Sequence, residues 1–115
     1  QYGNVEQAMA VFGPDRVIVD HSIDQLKNMD EFASQVAALD GVITIDSTLA
    51  HVAGALGTST IVIRDDWFRR PWPVLSNQVP WYPNLRVVGG KGGEWATVLD
   101  EAWAELGNLT KERAL

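Results

Sequence analysis

The stretch ITIDSTLAHVAGALG, residues 43–57, gathers a carboxylate, two hydroxyls and an imidazole within six positions: Asp46, Ser47, Thr48 and His51. An apolar run ends at Asp46, and an alanine-rich helical pattern begins directly after it. In an open parallel sheet, ligands bind beyond the carboxyl ends of the strands, where helix N-termini present unpaired N–H groups. The first turn of a helix adds the positive end of its dipole, so the start of this helix is suited to an anion such as a phosphate. His51 follows Thr48 by three residues and Ser47 by four, which places all three on one helix face. A protonated imidazole there can donate to a phosphate oxygen, and a neutral one can orient it. Asp46 suits a different task, ordering backbone groups or accepting from a sugar or ribose hydroxyl, because aimed straight at a phosphate it would repel it. Leu49, Val52, Ala53 and Leu56 fall on another stripe, predicted to pack on the sheet. Ala50, Ala53, Gly54 and Ala55 keep the helix thin enough for close approach to the sheet or to a ligand. The competing explanation is an ordinary N-cap by Ser47 that binds nothing.

The surrounding elements are those needed to hold such a site. VEQAMAVF has Val5, Ala8, Met9 and Phe12 at helical spacing, with Gly13 and Pro14 to stop the helix. RVIVD, residues 16–20, is a short β-branched run predicted to be a buried strand. NMDEFASQVAALDG predicts a helix with Asn28 and Glu31 as a capping box, Met29, Phe32, Val36 and Leu39 as its apolar stripe, and Gly41 at its end. VITI (42–45) and TIVIR (60–64) predict two further strands. Strands alternating with helices at this spacing imply βαβ units, and their almost wholly apolar composition implies helices on both faces. The expected fold is therefore α/β: half of a doubly wound, Rossmann-like parallel sheet in three α/β/α layers, as a single domain over residues 1–115.

After Arg64 the texture changes. DDWFRRPWPVLSNQVPWYPN (65–84) holds four of the five prolines and reads as a long ordered loop, too rich in large apolar surface to be a linker. LRVV predicts a last strand, and GGKGG a turn that lacks the spacing and hydroxyl of a phosphate loop. In the closing helix, Trp95, Val98, Leu99, Ala102, Trp103 and Leu106 keep helical spacing, with Gly107 as the expected stop.

Composition excludes several classes. The chain has 46% hydrophobic and 21% charged residues and a net charge of −6, which argues against a nucleic-acid partner. The charge is uneven: residues 1–66 carry three basic and ten acidic side chains, the remainder six basic and five acidic. An anion near Asp46 must therefore rely on local donors rather than on a general positive field. No apolar run approaches the length of a membrane span. The absence of cysteine excludes disulfides and thiolate metal sites and fits a cytoplasmic protein. His21 and His51 lie too far apart in sequence to suggest a metal site, so no metal and no cofactor are expected. Trp67, Trp72, Trp81 and Tyr82 could stack on a sugar or base, but a satellite core beneath the long loop is the preferred explanation. Arg69 and Arg70 could reach a diphosphate or pair with Asp65 and Asp66, and His21 reads as a surface loop residue.

ALDGVITIDSTLAHVAGALGTSTIVI, followed by WFRRPWP and PWYPNLRVV, resembles the C-terminal lobe of bacterial glycosyltransferases of the GT-B fold. The resemblance is nearest to tetratricopeptide-repeat-fused glycosyltransferases and more distant to ADP-heptose:lipopolysaccharide heptosyltransferases. It covers about residues 24–95. In such enzymes the segment matching Asp46, Ser47, Thr48 and His51 holds the diphosphate of a nucleotide-sugar donor, so the resemblance implies substrate binding by these four residues. Heptosyltransferases usually have Gly where this chain has Thr48, and a Cβ there crowds a phosphate approaching the backbone.

GT-B enzymes have two lobes, with the acceptor and catalytic base largely in the N-terminal one. This chain corresponds to a truncated C-terminal lobe, so no catalytic residue is assigned, and turnover by this stretch alone is not expected. The expected partner is a nucleotide diphosphate sugar, together with a missing N-terminal lobe or a second copy in a homodimer that covers the edge of the predicted strand 16–20. The alternative is a non-enzymatic nucleotide-, phosphate- or protein-binding module that persists as a homodimer.

Overall fold

The computed structural model describes residues 5–13, 15–24, 26–64, 78–89 and 94–113. The chain forms two compact units, residues 1–32 and 33–115.

The first unit contains helix α1 (Val5–Phe12), which closes at Gly13 in a left-handed conformation (φ 81°). It also contains the start of α2 (Met29–Ala37). Half of the expected capping box on α2 is present: Asn28 Oδ1 accepts from the Glu31 N–H at 3.1 Å, while the Asn28 N–H donates to the Asp24 carbonyl at 2.9 Å. Of its predicted stripe, Phe32 and Val36 are buried, whereas Met29 and Leu39 are exposed. The predicted strand at residues 16–20 does not form. Residues 15–16 turn, residues 17–20 have no regular structure, and Ile18 is 82% exposed. A β-branched run becomes a strand only when a neighbouring strand satisfies its backbone. This segment instead ends in a local turn, where the Asp20 carboxylate accepts from the Ser22 hydroxyl (2.5 Å) and N–H (2.9 Å). Those two bonds, the hydroxyl foremost, hold the Asp20 pKa below its ordinary value.

The second unit is an open α/β sandwich built on a four-stranded, mostly parallel sheet. Its strands are β1 (Val42–Ile45), β2 (Thr60–Arg64), β3 (Gln78–Val79) and β4 (Tyr82–Gly89), in the order β1-β2-β4-β3. β1 and β2 pair in parallel with Val42 opposite Thr60 and Ile45 opposite Ile63, and β2 pairs in parallel with β4. Only β3 is antiparallel. β4 begins at Tyr82, earlier than the predicted LRVV, because the YPN segment pairs with the short β3 instead of continuing the loop.

Helices cover both faces. On one, α3 (Thr48–Leu56) lies over Val62, Leu85 and Val87, with Ala50 buried between them. On the other, α4 (Trp95–Arg113) packs Val98, Ala102 and Leu109 against Ile61, Ile63 and Val88. The alternation along β2 and β4 sends each residue to one face or the other, as strand geometry requires. Two expectations for the helices need correction. The sheet-facing residues of α3 are Ala50, Ala53 and Gly54, whereas Leu56 is 45% exposed. The small side chains turn inward because they let the helix sit close to the sheet. Helix α4 runs through Gly107 to Arg113 and gains Leu109 as a core residue, while Trp95, Leu99 and Trp103 stay exposed. Nothing lies within 4 Å of where a Cβ of Gly107 would stand. Glycine there weakens the helix by about 1 kcal/mol without breaking it.

An ion-pair cluster fastens the α4 face. Arg86, buried on β4, donates to Glu105 (2.6 Å) and to Glu112 on α4. Burial disfavours the guanidinium charge, but hydrogen bonds and attraction from the two carboxylates prevail, and its pKa lies above the ordinary value. Arg113 adds a bond to the Ser59 hydroxyl at 3.0 Å. Among the described residues, no buried side-chain nitrogen or oxygen lacks a partner, and no helix is long and apolar enough to cross a membrane.

Candidate functional site

The parallel register brings the predicted residues to one edge. Ile45 pairs with Ile63, so Asp46 and Arg64 emerge together at the carboxyl ends of β1 and β2. Gly89 pairs with Arg64 and ends β4 at the same edge. Helix α3 starts there at once, with Ser47 as N-cap in an extended conformation and Thr48 as its first residue. Asp20, the other aspartate expected at a strand end, lies in the first unit and belongs to no strand.

Ser47 does not cap the helix with its side chain. Its hydroxyl turns back to donate to the Ile45 carbonyl at 3.1 Å, the same oxygen that accepts from the Thr44 hydroxyl at 3.1 Å. The Ser47 backbone carbonyl accepts from the Ala50 N–H at 3.1 Å. A side-chain cap would accept from an N–H of the first turn; here no side-chain cap covers the Thr48 and Leu49 N–H groups. Asp46 and Ser47 are half-buried, and Thr48 and His51 are exposed on the helix beyond them. The four residues named from spacing thus lie at the junction between β1 and α3 and in the first turn of that helix.

His51 is held from an unexpected direction. Its Nδ1 lies 3.1 Å from the Tyr82 hydroxyl, and the two rings meet edge-on with centroids 5.9 Å apart. Tyr82 begins β4 and packs against the main core cluster of Ala50, Val62, Val79, Leu85 and Val87 rather than in a separate core beneath the long loop. Its ring lies on Gly54: a Cβ at that position would stand 2.6 Å from the ring. Trp81, 61% exposed, also meets Tyr82 edge-on, with centroids 6.5 Å apart.

The far end of α3 is fixed as firmly. Gly57 adopts φ 80°, and the N–H groups of Thr58 and Gly57 donate back to Ala53 and Gly54, an arrangement that favours glycine and satisfies the last carbonyls. Asn84, buried on β4, donates from Nδ2 to the Ala53 carbonyl (3.2 Å) and the Thr58 carbonyl (2.7 Å). Tyr82 and Asn84 of the YPN segment therefore grip α3 at its middle and its end. Spacing alone did not expose these roles. The available signal was a glycine in mid-helix, at Gly54, in a chain that also carries a tyrosine and an asparagine just ahead of a strand.

Trp67, Arg69, Arg70 and Trp72 lie outside the described residues. Gly89 closes β4, and the rest of GGKGG lies outside them too. His21 is exposed in a turn, as expected. Among the described residues, no group of three or more His, Asp or Glu side chains could hold a metal ion.

The fold and this edge define an α/β domain whose helix N-terminus opens at the carboxyl end of a parallel sheet. No family model matches the chain, and no solved structure matches it. Among curated proteins it is similar to Protein FlbA of Caulobacter vibrioides, with 31% identity over 91 residues covering 75% of this chain. The chain spans 15% of the length of that relative.

Proposed function

We propose that this domain binds the diphosphate of a nucleotide sugar at the start of α3, as a glycosyltransferase-like donor half-lobe of GT-B type working in the cytoplasm. Amides of the first turn and the His51 imidazole contact phosphate oxygens. Asp46 accepts from a sugar or ribose hydroxyl, and Thr48 adds a hydroxyl donor. The observation that carries this reading is the turned-away Ser47 hydroxyl, which leaves the Thr48 and Leu49 N–H groups of α3 without a side-chain cap near an exposed histidine. Transfer needs an acceptor site and a base from outside this stretch.

Calorimetric titration with ADP, UDP and GDP tests the proposal. Binding of at least one, weakened about tenfold or more in His51→Ala, is the expected result; this corresponds to loss of a charge-assisted hydrogen bond. Silence toward all three would overturn it.

A second reading, an interaction module that persists as a homodimer, has its own support. Among the described residues β1 is an edge strand of the sheet, Ile45 is 56% exposed, and helix α4 leaves Trp95, Leu99 and Trp103 exposed. This is the kind of edge that proteins usually cover. Such a module would give no heat with any of the three nucleotides and would scatter light as twice its chain mass.

A further inference from the structure

We infer that Tyr82, seated on Gly54, is a positioning residue that holds neutral His51 in the tautomer with its hydrogen on Nε2. This deepens the diphosphate reading and depends on it only for the identity of the acceptor.

A neutral imidazole has one donor and one acceptor nitrogen, and the bond made by one nitrogen decides the role of the other. Tyr82 Oη stands 3.1 Å from Nδ1. A phenol is the better donor of the two groups and an imidazole nitrogen the better acceptor, so the Tyr82 O–H donates and Nδ1 accepts. The ring hydrogen then belongs to Nε2, and His51 meets an anionic oxygen as a donor. In the opposite tautomer Nε2 would present a lone pair to that oxygen and repel it.

The phenol is constrained from several sides. Position 54 leaves no room for even a methyl group beneath the ring, the ring packs against the buried core cluster of the α3 face, and Trp81 meets it edge-on. The tyrosine comes from β4, 31 positions beyond the histidine, so its position reports the assembled sheet instead of the local helix. The arrangement also accounts for glycine in the middle of α3, where it costs helix stability. Position 54 is the hollow that lets the hydroxyl reach the imidazole one turn earlier.

The test reads the tautomer directly, by long-range proton–nitrogen correlation spectra of the 15N-labelled protein at a pH where His51 is neutral. In the wild type, Nδ1 should show the shift of an acceptor nitrogen and Nε2 that of a protonated one. Tyr82→Phe keeps the ring and removes the donor; both nitrogens should move toward the averaged shifts of a tautomer mixture. ADP affinity should fall about threefold to tenfold, the range of one hydrogen bond. Gly54→Ala, which displaces the ring without touching its hydroxyl, should produce the same spectral change. A wild type with its hydrogen on Nδ1, or spectra unchanged in Tyr82→Phe, would overturn the inference. If the spectra change in this way but no variant or wild type binds ADP, UDP or GDP, the diphosphate reading falls and the positioning role stands.

Discussion

The two faces of the sheet are held by different physics. The α4 face is a layer of large aliphatic side chains, Ile61, Ile63, Val88, Val98 and Leu109, with Arg86 clasped by Glu105 and Glu112 at its flank. The α3 face is shallow. Ala50, Ala53 and Gly54 meet the sheet, and directional bonds do the fastening: Asn84 to two carbonyls, Tyr82 to His51. Burial scales with area and tolerates small shifts, whereas a hydrogen bond fixes a distance and an angle. The candidate site lies on the side where such bonds specify position.

That contrast can be broken most sharply at Leu109, which is 2% exposed. Leu109→Ala should cost about 2–5 kcal/mol in urea unfolding through lost burial and a residual cavity. ADP affinity measured well below the melting temperature should not change. Equal losses of stability and affinity would show that the two faces are not separable. Asn84→Ala strips donors from the Ala53 and Thr58 carbonyls and should cost about 1–3 kcal/mol. Its signature should be local, with faster hydrogen exchange at the Gly57 and Thr58 amides than the drop in global stability explains. The smallest expected effect sharpens the comparison from the other direction. Gly107→Ala fills open space on α4 and should stabilise the domain by up to about 1 kcal/mol by helix propensity alone. A destabilised variant would mean that this part of α4 is covered.

Much of the fold was legible in the sequence where its signals are local. The VITI and TIVIR runs, each bounded by turn-forming residues, are strands, and the Asn28 cap starts α2 as predicted. The grouping of Asp46, Ser47, Thr48 and His51 was legible for the same reason: all four lie within six residues at one helix start. Residues 16–20 have the composition of a strand, yet pairing belongs to a partner, and no property of RVIVD reveals whether one exists. Gly107 looked like a stop signal, but a glycine ends a helix only if the apolar pattern also lapses beyond it, and here the pattern resumes at Leu109. Tyr82 and Asn84 were read as loop residues because their partners are 26 to 31 positions away. Local periodicity carries no information over such separations, so the positioning of His51 could emerge only from the assembled sheet.

The order of the strands has a bearing on how this protein is made. Val42 pairs with Thr60, and Thr60 with Leu85, so during synthesis each strand must wait for a later one to leave the ribosome. The helix that covers Ile61, Ile63 and Val88 emerges after all four of these strands. Until it does, that apolar face of the sheet stays open to water, to other chains and to whatever chaperone reaches it first.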